Sequence, residues 1–402
     1  MTNVFPNLGV KILACAAILY SGAAQSGTIN TLFCFTGYDW GPNAGMIRIN
    51  NVLYGTTYAG GSGSCNSDFG KGCGTVFSFD PATNVESTVY SFQGGKDGEL
   101  PDSHLTYFNG AAYGTTQQGG TGTCNTSLGE GCGTVFSLDL TTGSESVLYS
   151  FQETGGDGWY PSNAVLAPES DPAYLYGTTA QGGTGSCQPA CGVVFKVNLS
   201  TGVEKIVHSF QNDGVDATYP GQADWVEHRG ILYNTTQEGG VYGNGTIYSI
   251  NPSTGGENVV HSFGKNGDGS EPAAGMTEFA RMLYGTTTLG GTSNDGTVFS
   301  FDPATGKEKI LFSFDGSDGG FPYTDLIHGR HLLYGTTVDP NEEGTVFAVN
   351  PQTGTETVYG NVGQSDDPYE NTRLTKGDKV LYGTATQGGG CGFEGAIYSI
   401  AR

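Results

Sequence analysis

Side chains able to carry out acid–base chemistry stand at one recurrent position of the chain, three residues after a proline. In four copies this residue is small: Gly45, Ala164, Ala223 and Gly275. In the other three copies it is His104, Asp325 or Asn371, and Glu370 and Arg373 add charge beside Asn371. An imidazole, carboxyl groups and a guanidinium suit a general base, a general acid and a charge stabiliser, so we predict a catalytic site from these five residues. The alternative is that they line a hydrated channel without reacting.

The loops before these positions repeat an aspartate and a proline, in several copies with an aromatic ring nearby. We predict ligand contacts from eight of their residues: Asp39, Trp40, Asp157, Trp159, Tyr160, Tyr219, Phe321 and Tyr369. Carboxylates accept hydrogen bonds from sugar hydroxyls, and aromatic rings stack on the apolar faces of pyranoses. Carboxylate and carbonyl oxygens also suit Ca²⁺, which is the one cofactor that the sequence suggests. The alternative is ordinary turn chemistry, because a motif present in every repeat suits architecture better than catalysis.

The elements that carry these residues are strands of a repeated unit. The phrase Leu-Tyr-Gly-Thr-Thr and its variants occur seven times, with their tyrosines 48 to 63 residues apart. Each unit contains four strand-like pieces, which we call a to d, and the repeated phrase is strand b. Periods of this length with several strands each are typical of propellers. The pattern therefore predicts an all-β fold, a seven-bladed β-propeller with four strands per blade, over residues 25–402.

The two ends of the chain predict how the ring closes. The last unit stops after its strand c, residues 395–400, while residues 28–35 form a spare strand of type d. Pairing between the two completes the seventh blade and leaves no exposed sheet edge in the ring.

Two sets of loops lie on opposite faces of such a ring. The d-to-a and b-to-c loops share one face and are long, Gly-rich and acidic, whereas the turns on the other face are short. Because functional residues usually lie on loops that a rigid scaffold holds, the first face is the candidate face. His208 and His261 occupy the strand-d position held elsewhere by Tyr90, Tyr149 and Phe312, and we interpret them as packing variants.

The repeated phrase, followed by Gly-Gly and then Gly-Thr-Val-Phe, resembles the tandem repeat called GloVer, which occurs in secreted and surface-anchored bacterial proteins. The resemblance covers residues 28–402 and implies a propeller-like domain. It implies no particular activity, so no catalytic residue follows from it.

Eight of the nine cysteines remain once a leader segment is removed. The repeat places three pairs in the b-to-c loops of blades 1 to 3. Of the other two cysteines, Cys34 lies on the spare strand d and Cys391 precedes the strand c with which that strand should pair. We predict four disulfides: Cys65–Cys73, Cys124–Cys132, Cys187–Cys191 and Cys34–Cys391. Zinc is the weaker alternative because the chain has no Cys-x-x-Cys pair.

Residues 1–24 have the character of a secretory signal peptide, with Lys11 before a short apolar stretch that ends in small residues. The formal net charge of −23 disfavours nucleic acid and anionic lipid surfaces as partners. We therefore expect a secreted monomer, extracellular or periplasmic, that does not insert into a membrane and binds an extracellular glycan or small molecule.

Three functions fit these features. The first is a carbohydrate-active lyase or hydrolase that uses the acidic loop face. The second is a glycan- or ligand-binding module without catalysis, and the third is a structural or adhesive surface protein. Secreted propellers often carry such enzymes, although a fold alone does not establish a function.

Overall fold

Seven four-stranded antiparallel sheets form the blades of a β-propeller. The computed structural model describes residues 29–36, 41–42, 44–67, 70–126, 129–161, 164–187, 191–220, 223–265, 267–338, 344–362, 372–386, 391 and 395–402. In each blade the sheet order is a, b, c, d, and consecutive strands pair with one another. The fold predicted from the repeat is therefore confirmed.

The strand bounds are as follows, in blade order. Strand a is Ile47–Ile49, Thr106–Phe108, Gly158–Pro161, Val226–His228, Thr277–Phe279, Ile327–His328 and Thr375–Lys376. Strand b is Val52–Thr57, Ala111–Thr116, Tyr174–Gly182, Ile231–Thr236, Met282–Thr287, Leu333–Thr336 and Val380–Ala385. Strand c is Thr75–Asp80, Thr134–Asp139, Val193–Asn198, Thr246–Asn251, Thr297–Asp302, Thr345–Val349 and Ala396–Ala401. Strand d is Val85–Ser91, Ser144–Ser150, Glu204–Ser209, Gly256–Ser262, Lys307–Ser313 and Glu356–Asn361, with Ile29–Cys34 serving the seventh blade.

Short elements in the loops supplement the blades. Two-residue strands are Asn66–Ser67, Gly70–Lys71, Asn125–Thr126, Gly129–Glu130, Ala217–Thr218, Glu238–Gly239, Gly269–Ser270 and Leu289–Gly290. One 3-10 helical turn spans Gly95–Asp97. Within the described residues no helix is long and apolar enough to cross a membrane.

The seventh blade closes as expected. Ile29–Cys34 pairs antiparallel with Ala396–Ala401, and Ile29 lies opposite Ile400. This pairing contains a bulge, and the c–d pairings of the other six blades contain one at the equivalent place. The N-terminal strand therefore reproduces the geometry of an ordinary strand d, and the Cys34–Cys391 disulfide joins it to the segment before strand c. The three predicted loop disulfides are also present.

Strand b contains glycine because the facing strand places an aromatic ring over it. A Cβ on Gly55 would lie 2.6 Å from the ring of Phe77, and the same contact recurs between Gly285 and Phe299. The strand-end threonines add a hydrogen bond between side chains, such as that between Thr57 and Thr75 at 2.8 Å. The repeated phrase is therefore a packing motif that joins strands b and c.

Apolar clusters fill the spaces between neighbouring blades. The residue that follows strand d packs edge-on against the strand-c ring of the next blade, as Phe151 does on Phe195 with ring centroids 4.9 Å apart. Phe35 makes the same contact with Phe77 and thereby seals the seventh blade against the first. Such edge-to-face pairs add stability beyond the apolar area that they bury.

Some expectations fall on residues outside those that the structure describes. They are the signal segment, residues 1–24, and the site residues Asp39, Trp40, Tyr369, Glu370 and Asn371.

Candidate functional site

Seven residues, one from each blade, form a ring at the mouth of the channel. Six of them lie two residues before strand a, and Ala164 of blade 3 follows Gly158–Pro161. In every blade one residue lies opposite the tyrosine of the repeated phrase. It belongs to strand a in six blades and is Leu166 in blade 3. Two residues before it stands what we call the channel position: Gly45, His104, Ala164, Asp224, Gly275, Asp325 and Arg373. The residue after the channel position is apolar and buried in all seven blades: Met46, Leu105, Val165, Trp225, Met276, Leu326 and Leu374.

This register corrects two of the sequence-based assignments. Counting from the loop proline selected Ala223 in blade 4 and Asn371 in blade 7. Pro220 lies 13 residues before its tyrosine and Pro368 lies 14 before its own, against 12 in blade 5. The extra residues shift the channel position to Asp224 and Arg373, because the pairing with strand b, and not the proline, fixes the register.

The four charged or polar members of the ring meet in the channel. Arg373 Nη1 donates to Asp224 Oδ2 at 2.6 Å and to His104 Nε2 at 3.1 Å. His104 Nε2 lies 3.3 Å from the same Asp224 oxygen, and Asp325 Oδ2 lies 3.9 Å from Arg373 Nη1. The structure thus brings together three of the five predicted catalytic residues, His104, Asp325 and Arg373, and adds Asp224.

His104 is uncharged in this cluster. Burial, followed by the positive charge of Arg373, lowers the pKa of His104 to about 3, although Asp325 acts in the opposite direction. Since Nε2 accepts a hydrogen bond from Arg373, the proton of the neutral ring is on Nδ1. The Nε2 lone pair is therefore the basic group at the channel mouth.

Asp325 holds a proton more tightly than an ordinary aspartate does. Burial is the main cause that raises its pKa well above the usual range, and the charge of Asp224 and a side-chain hydrogen bond with Asp224 add to it. The backbone N–H of Gly275 donates to the other oxygen of Asp325.

Arg373 is the member of the cluster most accessible to a ligand. Its side chain is 35% exposed, against 16% for His104 and 11% for Asp224. Among the described residues, the hydrogen bonds of its guanidinium all use Nη1. Nε and Nη2 therefore remain available as donors for an acceptor that enters the channel.

Small residues at alternate channel positions allow this convergence. A Cβ on Gly275 would lie 2.3 Å from the Asp224 carbonyl oxygen, and one on Gly45 would lie 2.8 Å from the Cβ of Arg373. Neighbouring innermost strands therefore approach closely only because these residues lack side chains.

Blade 4 contains a second departure from the repeat that supports Asp224. Asn234 replaces the glycine of the repeated phrase and is fully buried. Its Nδ2 donates to the Ala223 carbonyl at 3.0 Å, and its Oδ1 accepts from Thr235 N. Ala223 is the neighbour of Asp224, so Asn234 holds the backbone at the place where the blade accommodates its additional residue.

The predicted ligand contacts on the loops have structural partners. Asp157 accepts from the Tyr149 hydroxyl at 2.7 Å and from the backbone N–H groups of Gln152 and Gly158. Trp159 packs on the apolar cluster between blades 2 and 3. Both residues therefore contribute to the architecture, as the alternative interpretation of the loops expects, and their contact with a ligand remains a prediction.

The aromatic residues before the loop prolines have an unusual backbone. Tyr160, Tyr219 and Phe321 have positive φ values of 67°, 54° and 50°. The N–H group of Tyr160 donates to the Cys132 carbonyl of the preceding blade, and the N–H group of Phe321 donates to the backbone carbonyl of Asp295. Leu100 and Glu271 occupy the equivalent places with the same conformation. The backbone is thus repeated while the side chain varies, and ligand binding by these rings remains a prediction.

The sequence interpretation missed two groups of residues near the channel. One is Asp224, which the register of strand b would have revealed. The other is a buried network in which the Tyr58 hydroxyl donates to Gln117 at 2.7 Å and the Gln117 amide donates to Asp102. Asp102 lies two residues before His104, so this network borders the site on the candidate face.

These features define a class: a seven-bladed β-propeller with one Arg–His–Asp cluster in its channel. The chain belongs to the family of the Gloeobacter/Verrucomicrobia repeat, whose model matches residues 66–280, 121–341 and 226–402. No protein of curated function matches the chain in sequence.

Two solved structures of oligogalacturonate lyases share the fold. An oligogalacturonate lyase in complex with manganese is 14% identical with a TM-score of 0.59, and the match covers 95% of each chain. An oligogalacturonate lyase from Vibrio parahaemolyticus is 12% identical with a TM-score of 0.55 and 93% of each chain covered. TolB from Acinetobacter baumannii is 12% identical with a TM-score of 0.40, over 89% of this chain and 79% of its own. At these identities the similarity concerns the fold.

Proposed function

We propose that this protein is a secreted lyase that cleaves acidic oligosaccharides by β-elimination at the channel cluster. The observation that carries the proposal is the uncharged His104, whose Nε2 lies 3.1 Å from the guanidinium of Arg373. A basic nitrogen beside a fixed cation suits removal of a proton next to a carboxylate. Secretion is supported by the apolar leader and by four disulfides, which persist in oxidising compartments.

The reaction assigns one role to each group. Arg373 pairs with the carboxylate of a uronic acid and thereby stabilises negative charge that develops at C5. His104 Nε2 takes the C5 proton, the C4–O4 bond breaks, and a double bond forms between C4 and C5. The leaving oxygen takes a proton, and we assign its donation to Asp325 because burial raises the pKa of this carboxyl group well above its usual range. Asp224 orients Arg373 through the 2.6 Å hydrogen bond.

The substrate itself would activate the base. In the free protein Arg373 occupies the Nε2 lone pair and its charge lowers the pKa of His104. A ligand carboxylate that draws the guanidinium away frees the lone pair and offsets the positive charge. Both changes raise the pKa of His104 and favour proton transfer. The elimination would therefore start only when a carboxylate is bound.

The geometry favours elimination over hydrolysis. Glycosidases separate their two carboxyl groups by about 5 Å or more, so that the sugar or a water molecule fits between them. Here Arg373 Nη1 lies 2.6 Å from Asp224 Oδ2 and 3.9 Å from Asp325 Oδ2, so the guanidinium occupies the space between the two carboxyl groups. The manganese of the structural neighbour also fits this cluster poorly, because Arg373 already occupies the place among the donors that a cation would take.

A second candidate is a binding module without catalysis. It is favoured by the low pKa of His104, which makes this imidazole a weak base in the free protein. In that case Arg373 would bind the carboxylate and no bond would break.

One experiment separates these functions. The purified protein is incubated with oligogalacturonate, and with its carboxyl-reduced form as the matched control, while the ultraviolet absorbance of unsaturated products is followed. We expect turnover of the acidic ligand alone. His104→Ala should lower kcat by about 10²–10⁴-fold with Kd within threefold, whereas Arg373→Gln should weaken binding at least tenfold.

Binding that depends on Arg373 without any turnover would establish the binding module in place of the lyase. Equal binding of the acidic and reduced ligands, or binding unaffected by Arg373→Gln, would overturn both functions.

A further inference from the structure

At the outer edge of the ring, each of five contacts between neighbouring blades contains a pair of carboxyl groups. We call each such contact a seam. An aspartate of the d-to-a loop meets a glutamate from strand d of the next blade, and the last aromatic or imidazole side chain of the preceding strand d completes the group. The five seams are Tyr90/Asp97/Glu145, Tyr149/Asp157/Glu204, His208/Asp216/Glu257, His261/Asp268/Glu308 and Phe312/Asp318/Glu356. Histidine thus replaces the other rings in the third and fourth seams only.

The two histidine seams bring three metal-ligating groups together. His208 Nε2 lies 3.1 Å from Asp216 Oδ2, and His261 Nε2 lies 3.4 Å from Asp268 Oδ2. In each seam the ligand atoms of the histidine, the aspartate and the glutamate all lie within 4.8 Å of one another. Ligands bound tetrahedrally to Zn²⁺ at about 2.1 Å are about 3.4 Å apart, so the spacing matches such a site.

Polar atoms in these seams are buried without partners among the described residues. They include Glu257 Oε1 and Glu308 Oε1 in the two histidine seams, while His261 Nε2 has Asp268 Oδ2 at 3.4 Å as its nearest partner. The glutamate oxygen also lacks a partner in the two tyrosine seams. What distinguishes the histidine seams is therefore the imidazole nitrogen, a metal ligand that lies 3.1 Å from Asp216 in one seam and 3.4 Å from Asp268 in the other.

The tyrosine seams show how the same arrangement works without a metal ligand. Tyr90 and Tyr149 each donate their hydroxyl to the aspartate at 2.7 Å. A neutral phenol uses its proton in this bond and offers no strong ligand. An imidazole at this place presents a lone pair to two carboxylates instead.

We propose that each histidine seam binds one divalent transition-metal ion of the Zn²⁺ type through the imidazole and the two carboxylates. When both carboxyl groups of a seam are ionised, a divalent cation neutralises their two negative charges. Imidazole selects ions of this type over Ca²⁺, whose ligands are oxygens. His208 and His261 keep their packing role, since each stacks edge-on against the phenylalanine two residues later as the tyrosines do.

The position of the two sites gives them a structural role. The loop disulfides lie in blades 1, 2 and 3. The histidine seams join blade 3 to blade 4 and blade 4 to blade 5, where the described loops contain no disulfide. Metal ions there would fasten the side of the ring that lacks covalent links.

The test uses Zn²⁺ alone and the full chain. After treatment with EDTA, the protein is dialysed against Zn²⁺ and the bound metal is counted. We expect two ions per chain, one in His208→Tyr or His261→Tyr, and none in the double variant. These variants should fold, because tyrosine occupies the same place in blades 1 and 2. Zn²⁺ should raise the melting temperature of the wild type and leave that of the double variant unchanged.

A gain-of-site variant serves as the matched control. Tyr149→His creates the same set of groups with Asp157 and Glu204, so the count should rise by one. Zn²⁺ that is absent from the wild type, or is bound equally by the double variant, would overturn the proposal. Ca²⁺ that binds the double variant as well as the wild type would also overturn the proposal, since the carboxylates alone would then explain the cation binding.

Discussion

The channel position carries one side chain per blade, and four of the seven decide what the ring presents to a ligand. Arg373 is central because it contacts His104, Asp224 and Asp325. A single cation that bridges partners from three other blades couples their protonation. Changes at one of these residues should therefore appear in the titration of the others.

Arg373→Gln should raise the pKa of His104. The wild-type value of about 3 reflects burial and then the charge of Arg373, so removal of that charge leaves the effect of burial, opposed by Asp325. The rise is therefore partial, and it can be measured from the NMR chemical shift of the His104 ring as a function of pH. Absence of the signal in His104→Gln identifies the resonance. An unchanged titration in Arg373→Gln would show that the guanidinium does not act on this imidazole.

The types of these residues were predictable from the sequence, and part of their placement was not. His104, Asp325 and Arg373 stand out because charged groups rarely replace small ones in a repeat. Asp224 was not predicted, because one additional residue separates Pro220 from strand b and the count from the proline ended at Ala223. Insertions are absorbed in loops, whereas strand pairing keeps its register, so a count from the paired tyrosine would have placed all four correctly.

At the scale of elements, blade 4 shows how one strand adapts to hold Asp224 in the channel cluster. Asn234 is buried beside strand a and its amide binds the Ala223 carbonyl. Six blades have glycine at this place, so the substitution and the additional residue belong together. The strand pairing itself was fully predictable from the period-two pattern, whereas this local adjustment appears only when the strands are aligned in three dimensions.

Asn234→Gly should fold, because glycine is the residue of the other blades, but it should loosen Asp224. The substitution removes the two hydrogen bonds of the Asn234 side chain, each of which contributes about 1 kcal/mol to the free energy of unfolding, and ligand affinity should fall as Arg373 loses its oriented partner. Urea unfolding and ligand titration measure the two effects. In the Asp224→Ala background the substitution should have little further effect on affinity. Additive losses would mean that Asn234 acts independently of Asp224.

The seams should make the stability of the blades depend on pH. Burial, followed by the charge of the facing aspartate, raises the pKa of Glu145 and Glu204 to about 8, and burial raises that of Glu257, Glu308 and Glu356 to about 7. These glutamates bind protons more tightly in the folded chain than at their ordinary pKa of 4.5. The stabilisation is therefore complete below that value and is lost as the pH rises through 7 and 8.

With EDTA present, the free energy of unfolding should thus be larger at pH 5 than at pH 8, as measured by urea denaturation at both values. Glu145→Gln should reduce the difference, because an amide keeps the shape of the protonated acid without titrating. Equal stabilities at the two pH values would show that the seam glutamates are not protonated at pH 5 in preference to pH 8.

At the scale of the whole molecule, the ring depends on one closure. The repeat, the missing last strand and the spare first strand were sufficient to predict it, because seven nearly equal units leave a single way to pair every edge. The identity of the ligand was not predictable, because the repeated residues build the scaffold and the deviations that define the site are few.

Removal of the Cys34–Cys391 disulfide by the double substitution Cys34→Ser and Cys391→Ser should lower the free energy of unfolding by about 2–5 kcal/mol. The bond joins residues 357 positions apart, and the entropy that a crosslink removes from the unfolded chain grows with the length of the loop. Cys187→Ser with Cys191→Ser, which opens a separation of only 4 residues, should have a smaller effect. Urea denaturation under oxidising conditions compares the two, and a larger loss from the short loop would contradict the closure argument.

The pairing of Ile29–Cys34 with Ala396–Ala401 also dictates an order of assembly. A chain made from its N-terminus can build blades 1 to 6 in turn, since each contains its own four strands. The first strand to emerge must nevertheless wait for the last one before the seventh blade exists. Until then both ends of the array are open edges that can pair with another chain. Export that delivers the whole polypeptide before folding would avoid this hazard, whereas a stalled or truncated product would be prone to join its neighbours.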